Sequence, residues 1–245
     1  MEYKFLASYI LILIALYFSY REKLGLEKTI LINSIRALLQ LAALGYLLFF
    51  IFKLKNPVAL VLILVFMVVF AAWTGQRRVK LADKGFLTAF QVIFLSSFIV
   101  ISSLLLMGII TFEPNQIIPV GGMVIGNSLN VYTLAVDRMK GETRNTLDII
   151  EGVVALGGSL KDAFYFIRKE SLKASLIPIL NSLQTVGIIH IPGITTGMLL
   201  AGADPFEAVS YQLAIMYMMV AVALFTGLFS INFGYKKIIR TVTEG

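Results

Sequence analysis

The stretch PVALVLILVFMVVFAAW, residues 57–73, contains no charged side chain. An α-helix rises about 1.5 Å per residue, so a run of this length covers most of the roughly 30 Å of hydrocarbon in a bilayer. The same character extends along the chain, because 58% of its 245 residues are hydrophobic and only 14% are charged. A soluble domain carries more charge on its surface. The sequence therefore predicts an integral membrane protein.

Apolar runs recur along the chain, and seven of them have the length of a membrane span. We place them near residues 5–20, 31–52, 57–73, 86–110, 117–136, 183–201 and 211–233. Charged residues rather than a small-residue cleavage site follow the first run, so we expect it to remain as a membrane helix. Glycine and proline interrupt the sixth run. The pattern predicts an all-α, polytopic protein with one membrane domain over residues 1–245.

The distribution of Lys and Arg predicts the orientation of these spans. With the N-terminus outside, the inner segments hold seventeen Lys and Arg residues and the outer segments hold three. Cytoplasmic segments are enriched in basic residues, so the N-terminus is predicted outside and the C-terminus inside. This arrangement puts residues 137–178 in the cytoplasm and the protein in the inner or plasma membrane. The basic residues are scattered between apolar runs, so we expect contact with membrane lipid and none with nucleic acid.

Several chemistries are excluded by what the sequence lacks. There is no cysteine, which removes disulfides and thiolate metal ligands. No G-x-x-x-x-G-K-[ST], H-E-x-x-H or G-x-S-x-G motif occurs in the sequence. We therefore expect no enzymatic activity and no cofactor in this chain, and any energy from ATP must come from a partner.

The cytoplasmic stretch EGVVALGGSLKDAFYFIRKESLKASLIP, residues 151–178, is where charged residues keep recurring. Glu151, Ala155 and Gly158 follow helical spacing, which predicts a helix that continues from the fifth span. The glycine pair Gly157–Gly158 favours a turn. The chain is therefore predicted to bend at this point.

A second short helix is predicted from Leu160 to Ile167. Ser159 followed by Asp162 is a variant of the capping box, with the acid at the positive end of the helix. Apolar positions, including Phe164, fall on one side of this helix and charged positions mostly on the other. Such a helix lies on anionic lipid or docks into a cytoplasmic partner, and in the second case Phe164 is the natural anchor.

The order of these features resembles the cytoplasmic coupling loop of ABC transporter permeases. In that family a Glu-Ala helix, an LGAS-like turn, an Ala-Phe helix and a later proline follow one another, and the short helix sits in a cleft of the ATP-binding subunit. The resemblance implies that one set of residues couples the permease to an ATPase. The set is Glu151, Ala155, Gly157, Gly158, Ser159, Leu160, Asp162, Phe164 and Ile167.

Four segments resemble the FetB-type permease family, the metal-resistance and iron-export ABC permeases of bacteria with aluminium-tolerance relatives in plants. They are EKLGLEK, IRALLQLAALGYLLFFIF, GMVIGNSLN and SLQTVGIIHIPGITTGMLLAGADPFEAVSYQL. The resemblance implies a half-transporter that exports iron or another metal. It also implies a homodimer with two separately encoded ATPase chains, which bind ATP and Mg²⁺.

Polar side chains inside the spans are candidates for a translocation path. Asn33, Arg36 and Gln40 form a stripe on the second span, and a buried Arg must face water or the bundle interior. The alternative is that Arg36 bonds to a neighbouring helix or reaches the interface. Met123, Asn127 and Asn130 share a face of the fifth span.

Small residues and the single histidine raise further hypotheses. The residues that let helices pack closely, or that serve in dimerisation or gating, are Gly122, Gly126, Pro192, Gly193 and Gly197. His190 precedes the broken sixth span, and a metal site there would need oxygen or Met ligands, or a second His190 across a dimer. Asp204 and Glu207 are expected to initiate the last helix.

An ion-coupled secondary transporter is the alternative function. Broken helices such as residues 187–197 often mark ion sites in those carriers. A small organic substrate would also suit the neutral polar groups. ATP-dependent uptake into inverted vesicles would favour the ABC permease, and dependence on a proton gradient without ATP would favour the alternative.

Overall fold

The computed structural model describes residues 8–53, 56–81 and 84–243, and within these ranges the chain forms ten helices and no β-strand. One isolated bridge joins Val186 and His190. The all-α prediction is therefore confirmed for the described part of the chain. These residues fall into two compact units, within Met1–Lys55 and within Asn56–Gly245, and each unit is described by itself.

The first unit is a helical hairpin of α1 (Tyr9–Arg21) and α2 (Glu27–Ile51). The connection reverses direction through Lys23 and Gly25, which both have positive φ. The Ser19 hydroxyl donates to the Glu27 carboxylate at 2.8 Å and ties the two helices together at this turn. Within this unit the side chains of α2 are almost all exposed, and they are mostly apolar.

The second unit contains five long helices and three short ones. In chain order they are α3 (Pro57–Val79), α4 (Gly85–Leu106), α5 (Pro114–Asn145), α6 (Leu147–Ala155), α7 (Leu160–Ala163), α8 (Tyr165–Thr185), α9 (Gly193–Leu200) and α10 (Pro205–Thr243). Helix α5 packs against α3, α4, α8 and α10 and is the centre of the bundle. Helices α6 and α7 pack against each other, and Ile150 of α6 joins the core cluster that includes Met139 and Ile238.

Side chains cap the starts of α3 and α10. The Asn56 side chain accepts a hydrogen bond from Val58 N at 2.9 Å, and Pro57 occupies the first helical position of α3. Asp204 Oδ1 accepts from Phe206 N at 2.9 Å and from Glu207 N at 3.2 Å. The prediction that this acidic segment initiates the last helix is confirmed.

Buried hydroxyl groups join the three helices α4, α5 and α10. Ser128 Oγ lies 3.2 Å from Ser96 Oγ and accepts from Thr226 Oγ1 at 3.2 Å. Ser97 Oγ is 3.5 Å from the same oxygen. All four side chains are buried among apolar neighbours, where no water replaces a lost hydrogen bond. This cluster fixes the rotation of α5 relative to two of its partners.

The region of the predicted sixth span differs from its prediction. Residues 183–201 comprise the end of α8, a non-helical segment and α9 rather than one helix. Gly187 has φ +81°, and its amide donates to the His190 carbonyl at 3.0 Å, which turns the chain away from helical geometry. Pro192 then precedes α9 in an extended conformation. The helix that runs along the bundle here is α8, antiparallel to α10.

The long helices α5 and α8 also occupy part of the predicted cytoplasmic segment. Residues 137–178 are not one separate loop, because α5 continues to Asn145 and α8 begins at Tyr165. Charged side chains in its first turns and Pro178 in its interior gave this segment no membrane-span signal. Only α6, α7 and their connections lie outside the long helices.

Five described helices are long and apolar enough to cross a membrane. They are α2, α3, α4, α5 and α10, while α1 is a shorter apolar helix of 13 residues. A chain with this many apolar helices crosses the bilayer more than once. The number of seven spans and the single domain over residues 1–245 stay predictions.

Gly121 of α5 faces α3. A Cβ atom at Gly121 would lie 2.4 Å from Leu64 Cδ2, whereas a Cβ at Gly126 would meet nothing within 4 Å. The sequence pattern indicated Gly122 and Gly126 instead. At Gly122 a Cβ would lie 3.2 Å from Met67 Cε, so this glycine also faces α3.

We expect Gly121→Val to lower the thermal unfolding temperature of the detergent-solubilised protein, because overpacking a filled seam costs about 1–3 kcal/mol. Gly126→Val is the matched control, since the same change in the same helix points into open space. Fluorescence-detected unfolding measures both. Equal losses of stability at the two positions would contradict the packing described for α3 and α5.

Candidate coupling turn and translocation face

The Lys and Arg residues of the second unit gather towards one end of its bundle. The C-terminal ends of α3, α5 and α10 meet the N-terminal ends of α4 and α8 there. Lys140 Nζ donates to the Val79 carbonyl at 2.9 Å, and Lys237 donates to the Thr88 hydroxyl. The described carboxylates at the opposite end are Glu113, Asp204 and Glu207. We call the end that carries the Lys and Arg residues the basic end.

A tight turn between α6 and α7 projects from the basic end. Gly157 has φ +87°, a conformation that side chains other than glycine rarely adopt. Gly158 N donates to Val153 O at 2.9 Å, and Gly157 N donates to Val154 O at 3.0 Å. A Cβ atom at Gly158 would lie 2.8 Å from Val153 O, which is backbone and cannot rotate away. The predicted glycine turn is therefore present. Gly157 is required by its positive φ, and Gly158 is required because a side chain there would collide with Val153 O.

The capping box predicted after this turn is confirmed. Ser159 Oγ accepts from Asp162 N at 3.2 Å, and Asp162 Oδ2 accepts from Ser159 N at 3.3 Å. Two hydrogen bonds from Ser159 hold the pKa of the Asp162 carboxyl below its usual value. The bond from the Ser159 side chain has the larger effect, and the bond from the Ser159 backbone has the smaller one. Helix α7 is shorter than predicted, because it ends at Ala163 and α8 begins two residues later.

The predicted docking face of this region is wrong in one respect. Phe164 is completely buried and Ile167 is 5% exposed, and both belong to the core that includes Met139 and Ile238. The Phe164 ring also lies 6.3 Å from the Tyr235 ring. Phe164 is therefore not an exposed anchor for a partner. Its removal would leave a cavity in the bundle itself.

The exposed apolar side chains of the turn are different ones. Leu156 is 91% exposed and Leu160 is 43% exposed. They flank the glycine turn, and Glu151 and Ala155 are exposed on α6 before it. Leu156 was not among the predicted coupling residues. Its position directly before a glycine pair was the available signal, since a leucine there has no helix face to pack on.

The polar residues predicted for a path lie in separate units. Asn33, Arg36 and Gln40 are exposed on α2 of the first unit. In the second unit, Met123 is half-buried and Asn130 is exposed near the middle of α5. The role of this set stays a prediction.

Asn127 has a structural partner. Its Nδ2 donates to the Met219 carbonyl of α10 at 3.1 Å. This bond holds α5 against α10 next to the buried hydroxyl cluster. Asn127→Leu is therefore expected to disturb helix packing as well as any path.

The segment from Val186 to Pro192 and helix α9 surround a cavity of about 350 Å³ at the start of α10. Its lining is apolar except for Thr195 and Gln212, whose side chains lie 3.4 Å apart. Gly193 and Gly197 of α9 contact nothing through a hypothetical Cβ, so within the second unit they form no close helix contact.

His190 lies in the same segment and is exposed. Its Nδ1 is 3.4 Å from Thr185 Oγ1. Among residues 8–53, 56–81 and 84–243, no group of three or more His, Cys, Asp or Glu side chains could hold a metal ion. A metal role of His190 stays a prediction.

A family model described as "Uncharacterised protein family (UPF0014)" matches residues 3–239. The chain belongs to the UPF0014 family. A protein of Escherichia coli K12 named "Probable iron export permease protein FetB" is 33% identical over 227 residues, 93% of this chain and 88% of the relative. The "Protein ALUMINUM SENSITIVE 3" of Arabidopsis thaliana is 34% identical over 89% of this chain and 80% of its own. The predicted resemblance is confirmed.

A Bacillus subtilis relative named "UPF0014 membrane protein YjkA" is 36% identical over 89% of this chain and 87% of its own. Together with the five apolar helices, these relatives show that this UPF0014 chain is a multi-pass membrane protein. No solved structure matches it significantly.

Gly158→Ala should open the turn in this UPF0014 chain, because the added Cβ collides with the Val153 carbonyl oxygen. We expect faster hydrogen exchange at the amides of residues 156–158, measured by mass spectrometry in detergent. Gly152→Ala is the control, since a Cβ there meets nothing within 4 Å. Unchanged exchange in Gly158→Ala would contradict the turn geometry.

Proposed function

We propose that the chain is the membrane permease subunit of an ABC transporter, which exports its substrate with the energy of a separately encoded ATPase. The observation that carries this proposal is the rigid turn at the basic end, with its glycine pair, its capping box and its exposed leucines. A coupling element must be stiff to transmit the movement of a partner, and this turn is fixed at both glycines and at its cap.

The topology proposed with this function keeps the N-terminus outside and the C-terminus in the cytoplasm. The concentration of Lys and Arg at the basic end supports it, since cytoplasmic ends of membrane helices are basic. Helix α8 takes the place of the predicted sixth crossing, because it runs antiparallel to α10 between the two ends of the bundle. The seven crossings are then α1, α2, α3, α4, α5, α8 and α10.

The turn is proposed to dock into the ATPase through Leu156 and Leu160 rather than through Phe164. A fully buried leucine side chain contributes on the order of 1.5–3 kcal/mol, so two leucines supply a useful part of the docking free energy. Phe164 and Ile167 then have a different role from the docking role that the sequence predicted for them. They anchor the base of the turn in the bundle, so that movement of the turn reaches α5 and α10.

The proposed assembly is a homodimer of permeases with two ATPase chains, in which the ATPases bind ATP and Mg²⁺. The chain itself carries no enzymatic activity and no cofactor in this proposal. Iron or another metal is the proposed substrate, and the name of the Escherichia coli relative supports it. An ion-coupled secondary transporter is the competing function, and the non-helical segment between α8 and α9 is the feature that suits it.

The docking proposal is tested by affinity purification of the tagged permease from its own cells. We expect an ABC ATPase to co-purify with the wild-type chain and the complex to hydrolyse ATP. Leu156→Asp should reduce recovery of the ATPase at least tenfold, because a carboxylate would replace a leucine that is buried on docking. Mass spectrometry and ATP hydrolysis provide the two readouts.

Leu106→Asp is the matched control, since Leu106 at the other end of the bundle is 89% exposed and Leu156 is 91% exposed. It should retain the ATPase. The proposal fails if no ABC ATPase accompanies the wild-type protein, or if Leu156→Asp retains it fully. Transport driven by a proton gradient without ATP would then favour the secondary carrier.

A further inference from the structure

One face of α5 is left open by the rest of the second unit. Met123, Gly126, Asn130, Thr133 and Asp137 recur at spacings of three and four, so they form one stripe, and each is exposed or half-buried. We call this stripe the α5 groove floor. A Cβ atom at Gly126 would meet nothing within 4 Å, which shows how open it is.

The groove lies between α3 and α8. On one side Gly122 of α5 faces Met67 of α3. On the other side Val131 of α5 packs in a cluster with Ile179 of α8. The two flanking helices therefore form the walls, and α5 forms the floor.

The middle of the groove is polar but carries no charge. Asn130 lies near the midpoint of α5, and an exposed carboxamide at that depth cannot be satisfied by lipid.

The groove opens at the basic end beside fixed positive charge. The floor continues past Asp137 to Arg144, and Lys140 lies on the flank towards α3. The ammonium group of Lys140 is held by the Val79 carbonyl, so its position is fixed. Arg144 and Lys80 repel this ammonium group, and Asp137 attracts it. Positive charge is therefore in excess where a cytoplasmic solute would enter.

A free metal cation fits this groove poorly. The middle of the groove offers only uncharged oxygen ligands, and Asp137 is the single carboxylate of its floor. The described residues contain no group of three or more His, Cys, Asp or Glu side chains that could hold a metal ion. An opening with excess positive charge raises the local concentration of anions and lowers that of cations. Basic ends are general in membrane proteins, but the placement of Lys140 and Arg144 at the groove is specific to this helix.

We propose that the α5 groove binds a polyvalent anion, either alone or as an anionic chelate around a metal ion, rather than the free metal cation. This inference rests on the proposed function and specifies the substrate class of that transporter. The basic residues at the opening attract the anion, and the carboxamide of Asn130 binds it deeper in the membrane.

The test uses the full chain in nanodiscs of zwitterionic phosphatidylcholine, which removes competing lipid charge. Equilibrium dialysis compares radiolabelled ferric citrate, citrate without metal, and free Fe²⁺. We expect ferric citrate or citrate to bind, and to bind more weakly as salt is added. Free Fe²⁺ should bind at least tenfold more weakly than the chelate.

The variant Lys140→Gln/Arg144→Gln should weaken anion binding about tenfold, because two charges near the opening are removed. Lys161→Gln/Lys169→Gln is the matched control at the same end, and it should bind as the wild type does. Asn130→Leu leaves the basic opening intact and should also weaken binding of the chelate. Thermal unfolding of each variant confirms that it is folded.

Three results would overturn the inference. They are tighter binding of free Fe²⁺ than of either anion, no binding of any of the three probes, and unchanged anion binding in the folded Lys140→Gln/Arg144→Gln protein. Co-purification of the ATPase is an independent readout. Loss of the ATPase with anion binding intact refutes the proposed function alone. Retention of the ATPase with loss of anion binding refutes this inference alone.

Discussion

The second unit depends on the hydrogen bonds that α5 makes to its neighbours in an apolar environment. Ser128 joins hydroxyls from α4 and α10, and Asn127 donates to a backbone carbonyl of α10. Neither lipid nor a packed apolar core can replace a hydrogen bond that is lost there. The rotation of α5 is therefore fixed, and this determines which of its faces is buried and which remains open. Its open face is the groove, and its final turns carry the basic residues.

The same constraint connects the outer turn to the bundle. Phe164 is buried between the helix ends at the basic end, directly after the capped helix α7. The glycine turn leaves no room for a side chain at Gly158, so α6 and α7 keep one relative position. A force applied at Leu156 would therefore reach α8 and α10 through a short, stiff connection. This is the physical basis of the proposed coupling function.

Local chemistry was predictable from the sequence, and packing partners were not. The capping box of Ser159 and Asp162 and the glycine turn involve only neighbouring residues, so the sequence specifies them. The apolar side of the segment after Leu160 was recognised, but periodicity says only that a face is covered and not by what. Phe164 therefore looked available to a partner, although it packs against this chain. Similarly, Gly121 rather than Gly126 faces α3, because the spacing of small residues does not define the rotation of a helix.

The central claim is that the basic end with its turn faces the cytoplasm, while the segment before α5 faces the other side. The chain contains no cysteine, so single substitutions can be labelled without background. Lys161 in α7, next to the turn, and Glu113 before α5 are both exposed. With a membrane-impermeant maleimide, Glu113→Cys should be labelled in intact cells and Lys161→Cys only in inverted vesicles. Labelling of Lys161→Cys in intact cells, with Glu113→Cys protected, would contradict the account.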